Sequence, residues 1–116
     1  MKNMIEITEK PWGREQLIEK NDKYMVKLLT MNEGHSCSLQ YHKHKHETIY
    51  VISGVLNITY GSIDYLVDHI LNAGQSFVIK PFEIHRMTAI ETCDYLEAST
   101  PEIDDVIRLD DKYGRV

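Results

Sequence analysis

Residues 38–54 read SLQYHKHKHETIYVISG. His42, His44 and His46 alternate with Lys43 and Lys45, and Glu47 follows directly. Side chains two residues apart on a strand share a face. Read as extended chain, His42 and His44 aim two imidazoles at one point, and Gln40 shares their face. Glu47 falls where the chain turns into the next strand, so its carboxylate can reach that point from the neighbour. Imidazole plus carboxylate is a donor set for Zn, Fe, Mn, Co or Ni. His46 points away if the strand continues and is left out of the set. The alternative is a solvated basic hairpin whose histidines bind nothing.

Residues 74–86, GQSFVIKPFEIHR, add a second contribution. A glycine turn leads into a strand, a proline-marked turn follows, and His85 comes after it. Two distant segments then each supply histidine, as an antiparallel barrel allows. Outside these stretches, glycine and proline recur at Pro11, Gly13, Gly34, Gly61 and Pro101. Between them, residues 24–31, 36–42, 48–52, 55–60, 76–80 and 95–98 read as strands rich in Val, Ile, Tyr, Leu and Thr. Short strands with turn residues between them predict an all-β sandwich or barrel. Gly54 is expected to close a hairpin between two of them. Residues 102–109 are the best helical candidate, a turn or two long, with Thr100 as N-cap and Pro101 in the first position.

The chain has 116 residues, 42% hydrophobic and 27% charged, which matches one ordinary globular domain over 1–116. That length excludes a dinucleotide-binding half joined to a catalytic half. With 13 basic against 18 acidic residues and a net charge of −5, a nucleic-acid partner is disfavoured. Cys37 and Cys93 are too far apart for a CxxC pair and read as buried reduced thiols. Residues 1–10 lack the apolar run of a signal peptide, and no stretch is long enough to span a membrane. The expectation is a cytoplasmic protein with no membrane partner. Trp12 reads as a packing anchor, and Met25, Met31 and Met87 as core filler. His35 and His69 are expected beside turns.

These motifs resemble the cupin family. His42-x-His44, then Glu47, then Gly54 after six residues, follow the first cupin motif, and Gly74, Pro81 and His85 follow the second. The spacer between His44 and Glu47 is short, and Ser38-Leu39-Gln40-x-His42-x-His44 with Glu47 is similar to the C-terminal domain of type II phosphomannose isomerases. Lys10-Pro11-Trp12-Gly13, Val26-Lys27, His85-Arg86, Asp104-Asp105-Val106-Ile107-Arg108 and Tyr113-Gly114-Arg115 resemble further motifs of that domain, in the same order. Ile49 stands where it has tryptophan, Lys45 where it has arginine, and Glu83 where its proline turn ends in glycine.

The resemblance implies a small double-stranded β-helix, or jelly roll, with a divalent metal on His42, His44, Glu47 and His85. It implies an aldose–ketose isomerase acting on a phosphorylated sugar through an enediol. For that chemistry Gln40, Arg86, Lys80 and Lys27 are the candidate substrate contacts, and Glu83 and Tyr50 the candidate bases. Two other readings remain open: a non-catalytic sugar-phosphate-binding cupin, and a cupin dioxygenase with the same ligands. Cupins often pair through outer strands, so a homodimer is expected.

Overall fold

A computed structural model describes residues 6–115. These residues form nine strands and no helix: β1 (Glu6–Lys10), β2 (Gly13–Lys20), β3 (Met25–Met31), β4 (Leu39–Tyr41), β5 (Glu47–Ser62), β6 (Tyr65–Asn72), β7 (Ser76–Ile79), β8 (Ile84–Ser99) and β9 (Ile107–Asp110). Burial follows the two-residue period of a strand. In β3, Met25, Lys27, Leu29 and Met31 point inward while Val26, Leu28 and Thr30 point out.

β5 and β8 run antiparallel along each other from Glu47–Ser99 to Gly61–Ile84, and each serves two layers. The start of β5 and the end of β8 join β7 on one side and β3, β2 and β1 on the other. The end of β5 and the start of β8 join β6, and β4 with β9. The inward faces meet in one core that includes Trp12, Leu29, Met31, Ile49, Val51, Leu56, Ile58, Met87 and Tyr95. This is the double-stranded β-helix expected from the sequence. Cys37 and Cys93 are free and buried, and Met25, Met31 and Met87 are core residues. Among the described residues no helix is long and apolar enough to cross a membrane.

The local expectations need four corrections. Gly54 does not close a hairpin; it sits at a bulge inside the continuous strand β5. The bulge exchanges the inward parity from Ile49 and Val51 to Leu56 and Ile58. Gly54 has φ +82° there, and a Cβ would lie 2.1 Å from the Thr92 carbonyl oxygen, so backbone approach dictates glycine.

The C-terminal helical turn is absent. Residues 101–106 make turns and Ile107 opens β9, which pairs with β4. The capping signals at Thr100 and Pro101 are local, and the hydrogen bonds offered by the open edge of β4 outweigh them. β1, β2 and β6 were not anticipated, because their burial is shallow and their alternation weak. His69 accordingly lies within β6. Lastly, the strand expected over 36–42 contracts to β4, which leaves His42 beyond its end.

Candidate metal centre

His42, Glu47 and His85 come together where the two layers meet. Glu47 opens β5, where its cross-strand partners are Ile79 and Ser99. His85 points inward from β8, opposite Gln40 on one side and Tyr60 on the other. His42 follows β4, and its backbone oxygen accepts a 2.7 Å hydrogen bond from the Phe82 N–H. One donor atom from each of the three lies within 4.8 Å of the others, and all three residues are buried. The imidazole rings are 5.0 Å apart, centre to centre.

Their tautomers follow from their partners. His42 Nδ1 donates to the Asp105 carbonyl oxygen, and His85 Nδ1 donates to the Glu83 carbonyl oxygen at 2.9 Å. Each ring then directs Nε2 at Glu47 Oε1, at 3.3 Å for His42 and 3.4 Å for His85. If neutral, these rings present lone pairs to a carboxylate, a repulsive arrangement at full burial. Positive charge between the three atoms relieves it: a protonated imidazole can donate to Glu47, and one divalent cation satisfies all three donors at once. The donor set and the carbonyl-fixed rings therefore fit a metal. The Phe82 φ of 67° belongs to the turn that delivers the Glu83 carbonyl to His85.

The structure does not bring His44 to this cluster. Residues 42–46 form a turn rather than extended chain, so strand parity does not apply. The Asp105 carboxylate accepts the backbone N–H groups of Lys43, His44 and Lys45 at 3.0, 2.7 and 2.9 Å. His44 is left exposed, and Lys45 turns inward to lie 3.6 Å from Glu47 and 3.5 Å from Glu97. Burial works against the Lys45 charge, but the Glu97 and Glu47 carboxylates outweigh it and raise its pKa. Burial likewise opposes the charge on Glu47, yet His42, His85 and Lys45 hold it well below the ordinary carboxylate range. Burial and the neighbouring Glu47 charge push Glu97 up to about 8.

A cleft of about 570 Å³ reaches the cluster at His42; Glu47 and His85 lie behind its lining. His42, Gln40, Lys45, Glu97 and Tyr95 line it, together with Trp12, Lys27, Asp104, Arg108 and Arg115. Gln40 accepts a 2.6 Å hydrogen bond from the Ser38 hydroxyl. Lys27 is ion-paired to Glu15 at 3.3 Å. The remaining expected site residues are not among the cleft lining. Arg86 lies on the opposite face of β8 from His85, where it donates to the Cys37 carbonyl at 3.0 Å and to the Asp110 carbonyl at 3.1 Å. Lys80 is exposed, and Tyr50 stands on the outer face of β5 with 42% of its surface accessible. Glu83 contributes its carbonyl to His85. Lys45, Glu97, Arg108 and Arg115 were not anticipated. The placement of Lys45 beside the histidines, and of Arg108 and Arg115 in recognised motifs, hinted at three of them.

Comparison with known proteins agrees with this architecture. The family described as mannose-6-phosphate isomerase C-terminal matches residues 2–111. A mannose-1-phosphate guanylyltransferase of Escherichia coli is 31% identical over 112 residues, covering 92% of this chain and 23% of the relative. The chain thus spans less than a quarter of the length of the curated relatives it matches. A Klebsiella pneumoniae protein with a double-stranded β-helix domain superposes with a TM-score of 0.70 at 19% identity, over 81% of each chain. Bacillus subtilis oxalate decarboxylase, described with Mn(II) centres, superposes with a TM-score of 0.77 at 20% identity, over 90% of this chain and 30% of that one. From its match over residues 2–111, and with its cupin fold, the chain belongs to the family of mannose-6-phosphate isomerase C-terminal domains.

Proposed function

We propose that this domain is a metal-dependent sugar-phosphate isomerase that interconverts an aldose and a ketose phosphate through an enediol. The observation that carries this reading is the convergence of His42 Nε2, His85 Nε2 and Glu47 Oε1, three buried donor atoms with no hydrogen-bond partner among the described residues. His42, Glu47 and His85 would hold the metal, with Gln40 beside them in the cleft. A divalent cation supplies Lewis acidity to a carbonyl oxygen and stabilises enediolate charge. The Mn(II) centres of oxalate decarboxylase, on the same fold, are consistent with that use of a cupin barrel.

The rest of the chemistry is a proton transfer. A base removes the proton from C2 of the aldose; the C–H electron pair forms the C1–C2 double bond while the C1=O π pair moves onto O1, which takes up a proton. The enediol then loses its O2 proton as C2=O forms, and the C1–C2 π pair takes a proton at C1. Glu97 is the carboxylate best placed for this, because it lines the cleft and is buried against Lys45 beside the cluster. It replaces Glu83 and Tyr50, neither of which lines the cleft. The Lys45 ammonium keeps negative charge paired next to the reacting carbons, and Gln40 can orient a sugar hydroxyl. Trp12 and Tyr95 give the cleft apolar walls that restrict water.

The test is turnover. Metal-loaded protein is offered mannose 6-phosphate, glucose 6-phosphate and pentose 5-phosphates, and ketose formation is followed. Isomerisation that stops on chelation and returns with metal supports the proposal. Binding of these compounds without turnover replaces it with the non-catalytic reading.

A further inference from the structure

The chain is acidic overall, yet its cleft is lined by five lysines and arginines against three acids, Glu15, Glu97 and Asp104. Most of these cations already have partners. Lys27 is paired with Glu15, and Lys45 with Glu47 and Glu97. Arg115 makes hydrogen bonds to both oxygens of Asp111, each at 2.9 Å. The side chains of Arg108 and Lys10 make no hydrogen bond or ion pair among the described residues. The Arg108 Nε is moreover buried without a partner. A buried guanidinium N–H left unpaired is costly, so its position calls for an acceptor.

The sheet register gives the direction. Gln40 is the cross-strand partner of His85 on β8 and of Arg108 on β9. Residues directly opposite on adjacent strands present their side chains to the same face. His85, Gln40 and Arg108 therefore form one row, with Arg108 two strand spacings, roughly 10 Å, from the residue that reaches the cluster. Guanidinium is suited to phosphate oxygens by its planar pair of donors. We propose that Arg108, assisted by Lys10, forms an anion subsite for the phosphate of the substrate, at the far end of the row from the metal ligands. Its sugar component rests on the isomerase reading, but its anion component does not. A substrate held this way keeps its carbonyl end at the cluster, Gln40 under its middle hydroxyls, and its phosphate on Arg108. The arrangement selects a terminally phosphorylated sugar. Arg86, held by Cys37 and Asp110, has no part in it.

Isothermal titration of the protein as purified, with inorganic phosphate and separately with fructose 6-phosphate, tests the subsite. Arg108→Gln is expected to weaken both ligands by about tenfold or more, since charged hydrogen bonds are lost. Arg86→Gln should leave both affinities within about twofold, and metal content should not change in either variant. Lys10 lies on the edge strand β1, so Lys10→Glu tests the same subsite in a second variant should Arg108→Gln fail to fold; weaker phosphate binding is expected. Arg108→Gln binding both ligands as the native protein does, or a folded native protein that binds neither, overturns the proposal. Phosphate coordinated only by the metal gives that first result. Loss of phosphate affinity in Arg108→Gln with no isomerase turnover in any form keeps the subsite and removes the isomerase reading. Turnover with an unchanged KM in Arg108→Gln does the reverse.

Discussion

Asp105 clips the turn that carries His42. Its carbonyl oxygen accepts the His42 Nδ1 hydrogen, while its carboxylate accepts the N–H groups of Lys43, His44 and Lys45. One residue thus orients a candidate ligand and decides which side chain of the turn faces inward. Asp105→Ala should free the turn and let Lys45 swing out. Metal affinity is expected to fall roughly ten- to a hundredfold, as when partners behind a ligand are removed. Metal titration against a competing chelator measures it; unchanged affinity contradicts the clip.

The same carboxylate predicts an acid-dependent loss of stability. Desolvation opposes its charge, and the three N–H donors with His42 outweigh it, holding the group at about 2. Its folded value is below its unfolded value near 4, so its contribution is complete above about pH 4 and disappears as pH falls from there toward 2. Thermal unfolding across pH 2 to 5 should therefore show a shallower acid slope in Asp105→Ala than in the native protein.

His44 and His42 should behave differently despite their shared motif. His44→Ala is expected to retain its metal, because His44 is exposed and outside the cluster. His42→Ala and His85→Ala should lose it. Elemental analysis of the purified variants separates these outcomes, and metal loss in His44→Ala would return His44 to the ligand set.

The contrast between these two histidines shows what the sequence makes legible. The strands of the core announce themselves through runs such as MVKLLTM in β3, where inward and outward residues alternate. His42, Glu47 and His85 were recognisable because metal chemistry restricts residue type as well as spacing. His44 was misassigned because strand parity was extended through a turn, and that turn is fixed by Asp105, remote in sequence. Lys45 and Glu97 were illegible for the same reason: nothing local marks a charge as buried until its partner is known. The expected helix over 102–109 failed because capping signals are local, whereas β9 is stabilised by pairing with β4. The hairpin expected at Gly54 is a bulge instead, because both make the same demand for glycine at a tight backbone position.

Lys45 compensates two buried carboxylates. Lys45→Met removes that charge and leaves Glu47 and Glu97 facing each other, which should cost about 3–5 kcal/mol. Lys45→Arg should lose much less. Denaturant unfolding of the metal-free variants reads this directly, and a loss below about 1 kcal/mol for Lys45→Met would show that the pair is solvated.

Gly54→Ala tests the bulge. The added Cβ meets the Thr92 carbonyl oxygen at 2.1 Å, with φ already at +82°. A loss of about 2 kcal/mol or more is expected, because backbone must move on both β5 and β8. A Tm equal to that of the native protein would contradict the bulge geometry.

The most direct measurement is the metal content of the protein as purified, compared with that of Glu47→Gln. Glu47 Oε1 is the atom on which both imidazoles converge. The expected result is close to one divalent ion per chain in the native protein and almost none in Glu47→Gln, with both folded. A native protein that remains metal-free after incubation with Zn, Mn, Fe, Co or Ni would contradict the metal centre and, with it, the isomerase built upon it.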